Sequence, residues 1–164
     1  MNSLPLRPFP FPLNVGTDIC QISRIYGILN SPRRLRFINR ILAPQEVTQH
    51  DSRLGWNKGG LASSEQTGGV RDTQLWKAAA FVAGRFAAKE AAIKAHSHRR
   101  LTFHDVVIER RAGKEERLGT GPPVARIKAG DGVAEDASAL ISISHDGDYA
   151  TAVCIAHDVR ALDG

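Results

Sequence analysis

From Gln74 to about Ala95 the chain holds no proline, a single glycine and eight alanines between Ala78 and Ala92. Alanine has the strongest helix preference of any residue, so this stretch predicts the longest helix of the protein. At about 100° per residue, Leu75, Ala79, Val82, Phe86 and Ile93 fall on one narrow apolar stripe. Glu90 lies on the flank of that stripe and Lys89 borders its other edge. Two consecutive charges beside a buried face are not what a plain amphipathic helix would choose, because desolvation disfavours a charge without a counter-ion or donors.

The flanking segments supply a sheet for this helix. Leu13–Ile19 alternates apolar and polar residues and predicts a first strand, after which Ser23 is placed to cap a short helix. In SPRRLRFINRIL, Ser31 at the N-cap and Pro32 at the first helical position predict a second helix. Its Leu35, Ile38 and Leu42 share one face, and Arg33, Arg36 and Arg40 another. A further cap-like start stands at Ala43–Glu46. Residues 51–73 are rich in Gly, Ser and Thr without periodicity and read as a surface insertion. Beyond the long helix, Phe103–Arg110 alternates, Gly113 marks a turn, and Pro123–Lys128 reads as the returning strand. Leu140–His145 and Tyr149–Ala156 flank Asp146-Gly147-Asp148, a hairpin signal. The order predicts an α+β domain over 13–157, an antiparallel sheet packed on a long central helix. An extended Pro-rich arm (1–12) precedes it and a short tail (158–164) follows.

With 164 residues, 42% of them hydrophobic and 24% charged, the composition is that of one ordinary globular domain. No apolar run approaches the length of a membrane span. Cys20 and Cys154 have no CxxC spacing and read as packed intracellular thiols. The net charge of +5 and a pI near 9.6 call for anionic partners, among which nucleic acid, phosphorylated small molecules and acidic proteins all qualify. A nucleic-acid module would interleave aromatics with Lys and Arg on its strands, whereas these strands carry Ile, Val and Ala and only 6% of residues are aromatic.

Four residues raise chemical questions that spacing leaves open. Glu90 and Lys94 are placed either for an i,i+4 ion pair or for a metal ligand followed by an anion-binding lysine. Asp18, two residues after Gly16 near the end of the first strand, is either a cap or turn residue or a second carboxylate for that metal. His145 ends LISISH on the face of Ile141 and Ile143, as a hydrogen-bonded core residue or as part of a site.

Three segments taken together resemble a known family. VGTDICQISRI, AGRFAAKEAAIKA and SISHDGDYATAVCIA stand in the order of the three motifs of the holo-acyl-carrier-protein synthases, the short trimeric type of the 4′-phosphopantetheinyl transferase superfamily. The middle motif is the long and specific one, and RFINRILAPQEV also looks like the family's stretch between the first two. The resemblance implies the transferase fold and an enzyme that moves the phosphopantetheine arm of coenzyme A onto a serine of apo-acyl-carrier protein, releasing adenosine 3′,5′-bisphosphate. It implies Mg²⁺ held by Asp18 and Glu90, with Glu90 and Lys94 catalytic. Lys94 would contact the pyrophosphate, and Arg85 and His145 the 3′-phosphate or adenosine region. Glu90, or a water organised by it, would take the serine proton. Arg24, Arg33, Arg36 and Arg40 correspond to the surface that grips the acidic carrier protein, against the alternative of a solvated helix face. Such subunits form homotrimers with active sites between neighbours.

The chain departs from the family in two places. His96-Ser97-His98-Arg99-Arg100 replaces the usual Phe-Gly-Thr-Gly turn that lines the coenzyme A site, and the 51–73 insertion is longer than in compact relatives. Both suggest a eukaryotic member of fungal type serving a mitochondrial carrier protein. The prolines of the first twelve residues prevent an amphipathic transit helix, which keeps the cytoplasm as the alternative. A remaining rival is a non-catalytic subunit that uses its arginines to bind an acidic protein; a binding surface has no need of Asp18, Glu90 and Lys94.

Overall fold

Five alternating segments form strands β1 (Leu13–Gln21), β2 (Val106–Arg110), β3 (Pro123–Ile127), β4 (Ala137–Asp146) and β5 (Tyr149–His157). They make one antiparallel sheet in the order β1-β5-β4-β3-β2. The computed structural model describes residues 7, 9–55, 72–110 and 121–158. The Gly113 turn, nearly all of the expected tail and most of the arm and insertion therefore lie outside the described residues. Helices α1 (Ile22–Leu29), α2 (Arg34–Ile41), α3 (Pro44–Gln49) and α4 (Asp51–Leu54) lead to the long helix α5 (Thr73–Ala95). Asp72 caps α5 by accepting the backbone N–H groups of Gln74 and Leu75. Among the described residues no helix is long and apolar enough to cross a membrane.

Small side chains explain how α5 lies so close to the sheet. Gly16 and Cys20 of β1 and Ala150, Ala152, Cys154 and Ala156 of β5 are buried beneath it, and Ala87, Ala88, Ala91 and Ala95 lie on the side of α5 that approaches the sheet at Gly16 and Gly84, all in the core. On the other side α5 is covered by Ile22, Ile25 and Leu29 of α1, Ile38 and Ile41 of α2, and Leu54 of α4. The helix is thus buried nearly all round, and the single apolar stripe expected for it was too narrow; Lys89, expected at an edge, is fully buried. Burial pushes the Cys154 thiol up to about 12 and the Cys20 thiol upward as well, so both cysteines are inert packing residues at neutral pH.

The short helices correct three local expectations. α2 starts at Arg34, later than Pro32: the Ser31 hydroxyl donates to Ile28 O (2.7 Å) and accepts the Arg33 N–H (3.3 Å), holding a turn that leads into the helix. Leu35 is 53% exposed, and the buried face of α2 is Ile38 and Ile41, continued by Leu42. Ser23 does not cap α1. Its own N–H donates to Asp148 Oδ1 (2.8 Å) and its hydroxyl to Oδ2 (2.7 Å), so the β4–β5 hairpin caps α1 from a distance. Asp148→Ala is expected to lower the unfolding free energy by about 1–2 kcal/mol, the usual worth of a lost N-terminal cap, read as an earlier urea midpoint. The hairpin itself turns at Gly147, whose φ of 53° suits glycine.

The outer face of the sheet is apolar where strands β1, β5 and β4 lie side by side. Val15 pairs with Ile155, which pairs with Leu140, and all three are exposed, Val15 by 70%. Ile19 and Val153 extend the same patch.

Candidate active site

Asp18 is held against α5 by the glycine two residues before it. A Cβ on Gly16 would stand 1.9 Å from the Ala91 carbonyl oxygen and 2.7 Å from the Ala95 nitrogen, so only glycine lets β1 approach this turn of the helix. Lys94, on that turn, donates to Asp18 Oδ1 (2.7 Å) and to the Thr17 carbonyl (3.0 Å). The i,i+4 pair with Glu90 that the spacing allowed is therefore not the one formed: Lys94 pairs with Asp18. Asp18 Oδ2 is buried without a hydrogen-bond partner among the described residues. Glu90, one turn before Lys94, is half-buried and forms no hydrogen bond or ion pair among the described residues. Two carboxylates, from β1 and α5, thus keep acceptor capacity beside a lysine with half its side chain exposed. A partly buried carboxylate oxygen without a donor is costly, and a cation offsets that cost.

A second constellation occupies the other side of α5. Arg53, Phe81, Gly84, Arg85, Arg110 and His145 line a cleft of about 280 Å³. Arg85 is 8% exposed, its guanidinium lies over the Phe81 ring at 4.9 Å, and its Nε is buried without a partner among the described residues. Burial lowers its pKa to about 10; Glu46 supports the charge, and Arg53 and Arg110 oppose it. His145 donates from Nε2 to the Ala80 carbonyl (3.0 Å), seated where Gly84 leaves the helix bare: a Cβ there would lie 2.9 Å from that nitrogen. Three guanidinium groups crowded around one cleft favour an anion, and a phosphate monoester suits their donor geometry.

The two constellations do not meet within one chain. Arg85 and Lys94 are nine residues apart, about two and a half turns, and so point to opposite sides of α5. Asp18, Glu90 and Lys94 gather at β1, and Arg85 and His145 gather at β4. Of the four expected carrier-binding arginines, Arg33, Arg36 and Arg40 lie exposed on or beside α2 without an ion pair among the described residues. Arg24 sits apart on α1, its guanidinium 5.7 Å from the Phe86 ring centre and 3.7 Å from Cys20 Sγ. Sequence reasoning left out Arg53, Arg110 and the buried pair Lys89–Glu46. Arg53 lies in the stretch without periodicity, and Arg110 ends an alternating strand whose pattern gives its last residue no particular role.

The model of the 4′-phosphopantetheinyl transferase superfamily matches residues 14–154, which takes in both constellations. The chain belongs to that superfamily. It is 36% identical to 4′-phosphopantetheinyl transferase B, mitochondrial, of Aspergillus fumigatus over 163 residues, covering 93% of this chain and 99% of the relative. It is 33% identical to the holo-acyl-carrier-protein synthase of Anaeromyxobacter dehalogenans, covering 87% of this chain and 94% of that one. Among solved structures, this transferase fold is similar to the holo-acyl-carrier-protein synthase of Plasmodium yoelii, with a TM-score of 0.57, 25% identity, and coverage of 87% and 91%. The synthase from Bacillus anthracis in complex with coenzyme A (3′,5′-ADP) matches at a TM-score of 0.52 and 25% identity, with coverage of 87% and 93%. The α+β architecture and superfamily expected from the three motifs are thereby borne out.

Proposed function

We propose that this transferase moves the 4′-phosphopantetheine arm of coenzyme A to a serine of an apo-acyl-carrier protein, as a holo-acyl-carrier-protein synthase. The observation that carries the reading is the Asp18–Lys94 contact beside Glu90, set by the close approach of β1 to α5 at Gly16. Asp18 and Glu90 would hold Mg²⁺. The unpartnered Asp18 Oδ2 and unpaired Glu90 fit it, since Mg²⁺ takes hard oxygen ligands and is content with one or two protein carboxylates plus phosphate oxygens and waters. When bound, the ion supplies neutralisation of the pyrophosphate and of charge developing in transfer.

The chain's own groups do the rest. The serine oxygen attacks the β-phosphorus, the bond from that phosphorus to the bridging oxygen breaks, and adenosine 3′,5′-bisphosphate leaves. Glu90 accepts the serine proton, directly or through a water it orients. An ammonium has three donors, and Lys94 uses two on Asp18 and Thr17, so the third is available to the pyrophosphate. Arg85 and His145, with Arg53 and Arg110 beside them, hold the 3′-phosphate and adenosine end.

Because Arg85 and Lys94 point to opposite sides of α5, one coenzyme A would bridge two copies, with Asp18, Glu90 and Lys94 from one and Arg85 and His145 from its neighbour. The exposed apolar face of Val15, Leu140, Val153 and Ile155 supports a homotrimer that buries it. Arg24, Arg33, Arg36 and Arg40 form the carrier-protein surface. Arg36→Glu is expected to raise the carrier protein's KM by about tenfold with coenzyme A's KM unchanged, and the difference should shrink as salt rises, as steady-state kinetics would show. The compartment we propose is the mitochondrion, where the Aspergillus fumigatus relative is placed by name. The deciding assay is intact mass of an apo-carrier protein after incubation with this chain, coenzyme A and Mg²⁺. Addition of the phosphopantetheine arm is the predicted result; an unmodified carrier that relatives do modify would contradict the reading.

A further inference from the structure

Lys89 and Glu46 are both fully buried, and no step of the proposed transfer uses either. Their contacts are more numerous than an ion pair requires. Glu46 Oε2 accepts from Lys89 Nζ and from the Ala43 backbone N–H (2.9 Å), and Oε1 accepts from the Ile108 N–H (3.1 Å). Lys89 Nζ also donates to the Phe103 carbonyl (2.9 Å). One pair therefore ties α5 to α3, to β2, and to the 3₁₀ turn Phe103–Asp105 ahead of β2.

A buried ion pair is a poor way to gain stability, since desolvating two charges cancels most of their attraction, and its best-attested use is to fix register. α5 is a helix in need of that. Its contacts with the sheet are largely alanine methyls against alanine, glycine and cysteine, a shallow surface with few side chains large enough to interlock. Such packing specifies rotation about the helix axis weakly, as uniformly packed cores do. Two hydrogen bonds of fixed direction from Lys89, one of them to a Glu46 that Ala43 and Ile108 hold in place, specify it strongly. Lys89 is one turn from Arg85 on the same side of α5, and it directly precedes Glu90, which with Lys94 faces the β1 side. Pinning Lys89 thus sets where both constellations point, and Glu46 is also the carboxylate that supports the charge of buried Arg85.

We propose that Lys89 and Glu46 are positioning residues: their buried pair fixes the axial rotation of α5, so that Glu90 and Lys94 face Asp18 while Arg85 faces the cleft at His145. The inference rests on the proposed transferase reading. A lone Lys89→Met leaves Glu46 buried without its cation and will unfold more readily, which alone would not separate the site from the fold. The decisive variant is the charge-free pair Glu46→Leu with Lys89→Met, of similar volume. It is expected to remain folded at the assay temperature, with a melting temperature lowered because the Ala43 and Ile108 N–H groups and the Phe103 carbonyl lose their partners, while kcat falls by at least thirtyfold, roughly the loss a sub-ångström displacement brings. Mg²⁺ affinity, measured by calorimetry in the presence of adenosine 3′,5′-bisphosphate, should weaken by about tenfold, the scale seen when groups supporting metal ligands are lost. KM for the carrier protein should not change. Parental kcat and Mg²⁺ affinity in the folded double variant would overturn the proposal, and so would its failure to fold, since the pair would then serve the fold itself. A parent without transfer activity would sink the functional reading instead, and the Mg²⁺ titration would still decide the role of the pair.

Discussion

Gly16→Ala is expected to remove most of the transferase activity and a large part of the stability in one step. The methyl group would be driven into the backbone of α5, 1.9 Å from the Ala91 carbonyl oxygen, and no side-chain rotation can relieve a clash with backbone. β1 must then withdraw from the helix. Overpacking of this kind costs about 1–3 kcal/mol and at times more, a substantial share of a small domain's stability. Asp18, on the same strand, moves away with it from Lys94, and a misplacement near 1 Å costs about a hundredfold in rate. Urea unfolding and the carrier-modification assay check the two effects. The backbone of Gly16 is not in the left-handed region, so the requirement is for space alone. Gly27, on the exposed side of α1 with nothing within 4 Å of its would-be Cβ, is the control: alanine there should be neutral or stabilise slightly.

Glu90→Gln should abolish turnover, by at least about a thousandfold, while leaving the fold as it is. The two side chains have the same shape, and Glu90 makes no ion pair among the described residues whose loss would destabilise α5. What disappears is the charge that would hold the metal and accept the serine proton. A melting temperature within a few degrees of the parent's, with no adduct on the carrier protein, is the predicted outcome. Parental turnover would remove Glu90 from the site. Asp18→Asn is a less clean probe, because it also strips Lys94 of its counter-ion.

Much of this was legible in the sequence where the signal is local. The alanine-rich stretch marked α5 to within a residue of its observed start, and Asp146-Gly147-Asp148 marked the hairpin between β4 and β5. The start of α3 was visible at Ala43–Glu46 because the signal lies in neighbouring residues: Pro44 opens the helix and Glu46 accepts the Ala43 N–H. What stayed hidden depends on partners distant in the chain. Asp148 caps α1 across 125 residues, which displaced Ser23 from the role its position suggested. Lys89 looked like an edge residue because periodicity describes one stripe, whereas α5 is covered by the sheet on one side and by helices on the other. Leu35 was placed by spacing on one face with Ile38 and Leu42 and lies exposed, since α2 turns Ile38 and Ile41 inward. The opposed directions of Arg85 and Lys94, by contrast, follow from their numbering and the helical period alone.

The proposed transfer requires Asp18 and Glu90 to form one metal site. Calorimetric titration of Mg²⁺ into the protein saturated with adenosine 3′,5′-bisphosphate tests it, comparing the parent with Asp18→Asn and with Glu90→Gln. The prediction is a single site per chain in the parent, weakened at least tenfold in each variant. Parental Mg²⁺ affinity in either variant would contradict it.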